Sequence, residues 1–262
     1  MKLTDAEQQA LADRLMQAIR EGRGMEPPSE RIDYDFEDAY RIRRKLVDHL
    51  ISAGGRPKGH KIGFTSEAMQ KMYGMTGPDF GILLDTMFTP EREPVRVSHL
   101  SNTRAEPEIA FELARPLEGP ATIADVLAAT AHIRGAVEII DSRVGAMKAR
   151  AHDSLADNAG AGWVILGSRA LAPSEVDMAA LVLSMEVDGV AQSAPATDVM
   201  GHPAAPLAFL AGRLGELQGL GGYLKAGDVV ITGAPVRSVA VSAGSRLHAE
   251  FGPLGTIDLT FV

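Results

Sequence analysis

Apolar residues recur at two different spacings along this chain, and the change of spacing divides it near residue 56. In the first part Leu11, Leu15 and Ile19 fall four apart, with Ala12 and Met16 beside them, which marks one face of a helix. Thr4 and Glu7 stand at capping-box spacing, so each side chain can satisfy a free backbone N–H at the helix start, and Gly22 and Gly24 end the pattern. A polar, Pro-containing connector over 25–34 leads to Asp35, a candidate cap for a second helix whose apolar stripe is Phe36, Tyr40, Val47, Leu50 and Ile51. Gly54 and Gly55 stop it. Residues 1–56 therefore read as an N-terminal helical arm.

From residue 57 onward the pattern shifts to short apolar runs broken by Gly and Pro, the signature of strands. Candidate strands are Lys61–Phe64, Glu108–Leu113, Ala136–Asp141, Trp163–Leu166, Leu181–Val187, Val229–Thr232 and Ile257–Phe261. Helical spacing interrupts them at about 66–73, 122–133, 174–180 and 203–217. That order lacks the regular strand–helix alternation of a doubly wound sheet, so residues 57–262 read as an α+β core. No internal repeat or low-complexity segment is present.

Composition narrows the function classes. Hydrophobic residues make up 45% and charged residues 23% of the 262, which supports a full hydrophobic core. Against 34 acidic residues there are 26 basic ones, a net charge of −8, with no basic stripe to neutralise phosphates, so no nucleic-acid partner is expected. Arg41 to Lys45, the densest basic stretch, lies beside Glu37, Asp38 and Asp48 and reads as a solvated helix face. With no cysteine, disulfides, thiolate metal sites and a cysteine nucleophile are excluded. The start of the chain turns acidic at once, and no uncharged apolar run approaches the roughly 18 residues needed to span a bilayer. The expectation is a cytoplasmic protein with no membrane partner.

Candidate chemistry concentrates in carboxylates. In Arg104-Ala105-Glu106-Pro107-Glu108 the two glutamates would project from one face of a strand, and like charges that close need a cation or a shared proton. Pro107 between them suits an edge strand or a strand start. Glu138 sits inside the apolar run Gly135-Ala136-Val137-Glu138-Ile139-Ile140, where an unpaired charge would be costly. Three carboxylates without histidine favour a hard cation such as Mg²⁺ or Mn²⁺. The competing explanation leaves Glu106 and Glu108 in solvent and pairs Glu138 with Arg143. Both explanations stand on spacing alone.

A set of ordered motifs adds to this. Lys58-Gly59-His60-Lys61-Ile62-Gly63-Phe64-Thr65-Ser66, Gly77-Pro78-Asp79-Phe80-Gly81, Glu106-Pro107-Glu108, Val137-Glu138-Ile139-Ile140-Asp141-Ser142-Arg143, Asp157-Asn158-Ala159, Gly201-His202-Pro203 and Thr232-Gly233 span nearly the whole chain. Together they resemble the 2-oxopent-4-enoate (2-hydroxypentadienoate) hydratase family of the fumarylacetoacetate-hydrolase-like superfamily, which also holds 2-oxohept-4-ene-1,7-dioate hydratases and 4-oxalocrotonate decarboxylases. The resemblance implies a β-rich mixed-sheet core with peripheral helices, and assembly as a homo-oligomer. It implies that Glu106, Glu108 and Glu138 bind the metal, that Lys61 lies in the pocket and that Asp79 handles protons. The implied reaction is metal-dependent hydration of 2-hydroxypenta-2,4-dienoate to 4-hydroxy-2-oxopentanoate in meta-cleavage catabolism of aromatic compounds.

On this reading Lys61 is partly buried with a depressed pKa, and Asp79 sits in a turn at the pocket mouth. Read without the resemblance, Lys61 would be a snorkelling surface lysine and Asp79 a turn residue bonding its own backbone. Alternatives include the seven-carbon dicarboxylate, which needs a further cation for its distal carboxylate, and 4-oxalocrotonate decarboxylation. The decarboxylases tend to carry an apolar residue where Asp79 stands. A non-catalytic protein on the same fold would be marked by loss of a metal-site glutamate, and none is lost. A carbon–carbon hydrolase needs a His–Glu pair that the sequence does not offer. His60 and His202 read as structural hydrogen-bonding residues. Ser142 and Ser168 lack the setting of a nucleophile, Gly219–Gly222 lacks the Lys-Ser/Thr of a phosphate loop, and Met69, Met72 and Met75 read as core or pocket lining.

Overall fold

The computed structural model describes residues 1–65, 70–71, 75, 77–145, 149–217 and 222–262. Helices α1 (Asp5–Glu21) and α2 (Phe36–Ser52) begin at Thr4 and Asp35, each closed by a reciprocal capping box with Glu7 or Asp38. The stripe on α2 matches the expected one at Tyr40 and Val47, which are buried, and differs elsewhere. Phe36 and Ile51 are exposed, and Ala39, Ile42, Arg43 and Leu46 turn inward. Arg43, expected in solvent, is buried because its guanidinium lies 4.1 Å from the Phe80 ring centroid and donates to the Phe80 carbonyl at 2.5 Å. Asp38 is likewise buried, accepting from the backbone N–H groups of Lys2 and Leu3.

The remaining strands are β1 (Pro57–Gly63), β2 (Asp79–Leu84), β3 (Phe88–Thr89), β4 (Thr103–Leu113), β5 (Thr130–Asp141), β6 (Trp163–Leu166), β7 (Val182–Val187), β8 (Val190–Pro195), β9 (Val229–Ile231), β10 (Val239–Ala240), β11 (Arg246–Glu250) and β12 (Thr256–Thr260). Helices α3 (Ile123–Ala129), α4 (Ala151–Ala156) and α5 (Ala205–Glu216) are peripheral. The expected 122–133 helix stops at Ala129, and β5 begins at Thr130. The expected 174–180 helix is absent. Only a single 3₁₀ turn, Pro173–Glu175, forms there, and Asp177 accepts the N–H groups of Ala179 and Ala180 that a helix would have used. Most of the expected 66–73 helix, with Met69 and Met72, lies outside the described residues, as do Gly219 to Gly221.

An eight-stranded mixed sheet runs β2-β1-β9-β4-β5-β6-β3, with β10 paired to β4. A four-stranded antiparallel sheet runs β12-β11-β7-β8. One face of the large sheet, with Ala105, Ile109, Phe111, Ile133, Val137 and Ile139, packs into the main core with Leu183, Met185, Leu247 and Phe251 of the smaller sheet. Gly135 permits that approach, since a Cβ there would lie 2.5 Å from the Phe251 ring. Leu11, Leu15, Ile42 and Leu46 of the helical arm belong to the same core. The opposite face carries Ala110, Ala136, Val164, Val229 and Ile231, also buried. Alternation along β4 and β5 thus sends residues to two buried faces, one apolar and one holding the charges.

Candidate metal centre

Strands β4 and β5 pair antiparallel over nearly their whole length, with Glu106 opposite Glu138 and Glu108 opposite Ala136. Period-two alternation puts all three glutamates on the second buried face. One carboxylate oxygen from each lies within 4.8 Å of the others. Glu108 and Glu138 are buried and Glu106 partly so. The solvent-facing explanation for Glu106 and Glu108 therefore falls, and Glu138 does not pair with Arg143.

Pro107 lies in the interior of the large sheet, not at its edge, yet its missing N–H costs nothing. β4 is paired on its second side to β10 at Arg104 and Ala105 and to β9 from Ala110 to Glu112, which leaves a gap around Pro107. The chain after β9 fills this gap. Thr232 N–H donates to the Ile109 carbonyl at 3.2 Å, its hydroxyl oxygen accepts from Ile109 N–H at 3.3 Å, and Gly233 N–H donates to Glu108 Oε2 at 2.7 Å. Gly233 has φ +85°, and a Cβ there would sit 2.6 Å from Thr65 Oγ1. Only glycine brings that N–H to Glu108 without displacing Thr65.

Lys61 and Asp79 come from the neighbouring hairpin-like pair β1 and β2, where Lys61 faces Gly81 and Gly63 faces Asp79. Lys61 is 4% exposed, and its Nζ lies 2.7 Å from Glu138 Oε1 and donates to the Ala159 carbonyl at 3.0 Å. Burial alone would lower its pKa, but the charges of Glu138, Glu108 and Glu106 outweigh burial and raise it. The expected depressed lysine is thus a protonated one. Asp79 opens a strand and is 2% exposed, so it is not a turn residue at a pocket mouth. Neither of its oxygens has a well-formed hydrogen bond among the described residues. Burial pushes its pKa up to about 6, against the opposing pull of Arg43 and Lys61.

The donor set fits a divalent cation. Glu108 Oε1 and both oxygens of Glu138 are buried without a well-formed hydrogen bond among the described residues, Lys61 approaching Glu138 as a charge contact. Burial and then the Glu138 charge push Glu106 to about 7 and Glu108 well above its ordinary value. Such mutual repulsion between buried carboxylates is relieved when a cation sits between them. Three oxygen donors with neither imidazole nor thiolate suit Mg²⁺ or Mn²⁺.

Comparison with known proteins identifies the family. Residues 64–262 match the model of the fumarylacetoacetate (FAA) hydrolase C-terminal family. The chain belongs to the fumarylacetoacetate hydrolase family. It is 35% identical to a 2-oxo-hept-4-ene-1,7-dioate hydratase of Escherichia coli, over 96% of this chain and 97% of the relative. It is 40% identical to a 2-hydroxypent-2,4-dienoate hydratase of Pseudomonas putida, over 79% of this chain and 95% of the relative. Among solved structures, 4-oxalocrotonate decarboxylase from Pseudomonas putida G7, complexed with magnesium and adipate, superposes with a TM-score of 0.94 at 30% identity over 100% of this chain and 99% of that one. The two hydratase relatives place the protein among the family's hydratases, which are hydro-lyases, and the superposition places it on the family's mixed-sheet fold.

Around the acidic cluster the structure shows what further groups do. Arg143 is buried, with its N–H and Nε bonded to Asp157 at 2.8 and 2.7 Å and Nη1 donating to the Ala161 carbonyl at 2.9 Å. This fixes the segment after β5 to the turn at Asn158–Gly160. The motif Asp157-Asn158-Ala159 was visible, but nothing in its composition shows where its backbone points. His202 accepts the Ala204 N–H at 3.0 Å, a structural role as expected. His60 is half-buried with its ring 6.1 Å from that of Phe80, and its Nδ1 has no hydrogen-bond partner among the described residues, so the hydrogen-bonding role expected of it is not seen there. Desolvation lowers its pKa to about 3, so it stays neutral. Among the described residues no helix is long and apolar enough to cross a membrane.

Proposed function

We propose that this protein hydrates 2-hydroxypenta-2,4-dienoate to 4-hydroxy-2-oxopentanoate in the meta-cleavage catabolism of aromatic compounds, using Mg²⁺ or Mn²⁺ held by Glu106, Glu108 and Glu138. The observation that carries the proposal is the cluster of three glutamates, two of them fully buried, with Glu108 Oε1 and the Glu138 oxygens lacking a well-formed hydrogen bond among the described residues, beside a protonated lysine and the buried Asp79. When bound, the cation supplies Lewis-acid stabilisation of the negative charge that develops at the C2 oxygen, and offsets the repulsion between an anionic substrate and an acidic protein.

The chain's own residues supply the rest. Lys61 Nζ spends contacts on Glu138 and on the Ala159 carbonyl and keeps a further N–H for a substrate oxygen. Held protonated by the glutamates, it acts as a fixed positive charge toward the carboxylate end of the substrate. Asp79, with a pKa of about 6, exchanges a proton near neutral pH, as protonation of the diene terminus and activation of water at C4 both require. The apolar floor of Ala110, Ala136, Val164 and Ile231 lowers the local dielectric and strengthens these charges.

Kinship favours hydration over decarboxylation, because identity to hydratases reaches 35–40% against 30% for the decarboxylase. The decarboxylase remains the second reading because its fold superposes almost completely. The test is to incubate the protein with freshly generated 2-hydroxypenta-2,4-dienoate and Mg²⁺ or Mn²⁺, with and without EDTA. Loss of diene absorbance with formation of 4-hydroxy-2-oxopentanoate, abolished by EDTA, is the expected result. Turnover of the seven-carbon dienedioate instead would move the substrate, release of CO₂ from 4-oxalocrotonate would move the reaction, and silence on all three would defeat the proposal.

A further inference from the structure

Among the described residues the outer edge of β2 has no strand beside it, because β2 ends the large sheet. A free edge leaves backbone groups unpaired, and here the strand in question carries Asp79. One side chain takes the place of the missing neighbour. Asn158 Oδ1 accepts from Ile82 N–H at 2.8 Å while its Nδ2 donates to the Ile82 carbonyl at 2.8 Å. The amide thus makes the reciprocal pair of bonds that an adjacent antiparallel strand would have made.

The turn that presents Asn158 is held in a left-handed conformation for three successive residues, with φ of 53° at Asn158, 54° at Ala159 and 65° at Gly160. Asparagine and glycine tolerate this region, whereas alanine does so at a cost, so the conformation is imposed by its surroundings. The surroundings are the Arg143–Asp157 pair at 2.7 Å on one side and β2 on the other. In that conformation the Ala159 carbonyl points at Lys61 Nζ. Gly81 completes the fit, since a Cβ there would lie 2.5 Å from the Asn158 carbonyl oxygen and 3.0 Å from Lys61 Cγ.

We propose that Asn158 is a positioning residue of the site, whose amide stands in for an absent strand on β2 and thereby fixes both Asp79 and the Ala159 carbonyl that holds Lys61 against Glu138. The proposal rests on the hydratase reading for its kinetic arm, and on structure alone for its exchange arm. Asn158→Gly keeps the left-handed backbone and deletes the amide, while Asn158→Asp keeps the shape and sets an oxygen against the Ile82 carbonyl. Both variants are assayed as full-length protein well below their melting temperatures.

Misplacing reacting groups by about an ångström lowers kcat by roughly tenfold to a hundredfold, and this loss is expected in both variants with KM and Mg²⁺ affinity within about twofold of the parent. In parallel, hydrogen exchange at the Ile82 amide should accelerate in Asn158→Gly while that at Val230 stays protected. An unchanged kcat, an unchanged Ile82 exchange rate, or a loss of metal affinity parallel to the loss of kcat would each overturn the assignment. A parent protein that hydrates no dienoate would defeat the proposed function instead, and the exchange arm alone would then decide whether Asn158 clamps β2.

Discussion

Acidic residues gather on neighbouring strands in both sheets, yet the two sheets treat them in opposite ways. On the large sheet Glu106 and Glu138 are direct cross-strand partners, with Glu108 two residues along. On the small sheet His248 lies between Glu186 and Asp258, with Glu250 two residues along. The small sheet has one face on the core and one in water, so its charges stay exposed and His248 settles 2.7 Å from Asp258 and 3.2 Å from Glu250. The large sheet is buried on both faces, and Glu106 and Glu108 are pressed upward in pKa by burial and by the neighbouring glutamate charges. Acidic clusters on neighbouring strands therefore carry different chemistry, and what separates them is the second buried face of one and the exposed histidine of the other.

The largest effect that would sharpen this contrast is at Glu108. Glu108→Gln should lower the rate of diene hydration by on the order of a thousandfold or more, because a cation ligand is lost. In EDTA the same variant should melt at or above the parent's temperature, since a buried like charge has gone, and Mg²⁺ should no longer raise it. A variant that melts lower in EDTA and still responds to Mg²⁺ would break the comparison.

Asp79→Asn comes next, with a loss of about a hundredfold or more in kcat and little change in metal affinity, as expected for a proton-transfer group. It also carries a pH signature. Because the folded pKa of Asp79 is raised to about 6 from 3.8, the folded state binds the extra proton between those values, so stability falls as pH rises from about 4 to 6. Above that window the buried charge costs about 1–3 kcal/mol, and Asp79→Asn should remove this part of the dependence in denaturant titrations. Equal losses in rate and in metal affinity would argue against the proton role.

Gly233→Ala should be milder. The +85° φ and the clash with Thr65 predict a stability loss of about 1–3 kcal/mol and a metal affinity reduced by roughly tenfold, because the N–H that orients Glu108 moves. Calorimetric titration with Mn²⁺ reads both the affinity and the stoichiometry. The smallest effect belongs to the small sheet. Asp258 and Glu250 raise the His248 pKa, a contribution fully present below the unfolded value near 6.5 and lost as pH rises through the folded one. Exposure limits it to about 0.5 kcal/mol, so Asp258→Asn should lower stability slightly at pH 6, leave it unchanged at pH 9, and leave hydration untouched at either.

The same contrast explains what could be read in the sequence. The α+β class, the two capped helices and strand β6 followed from local pattern, because caps and short apolar runs are local signals. Strand β11 was missed since it alternates exposed and buried residues with few large apolar side chains, and β8 since none of its residues is buried. β2 was hidden by Gly81 and by the Pro-Asp start that reads as a turn. The glutamates were legible as an oddity, Glu138 within an apolar run most of all, but only the register of β4 with β5 brings Glu106 opposite it. Lys61 was found and its ionisation misjudged, since burial is visible in sequence and the three charges facing it are not. Arg43 was misread as solvent-facing and Asn158 went unassigned because their roles are bonds to backbone groups 37 and 76 residues away.

The central claim is that Glu106, Glu108 and Glu138 together hold one divalent cation, and it is tested most directly by Mn²⁺ titration of the parent, Glu106→Gln and Glu138→Gln under one set of conditions. The account predicts one site per chain in the parent and an affinity weakened by about a hundredfold or more in each variant, with Asp258→Asn binding as the parent does. Equal Mn²⁺ binding by the parent and both glutamate variants would contradict it.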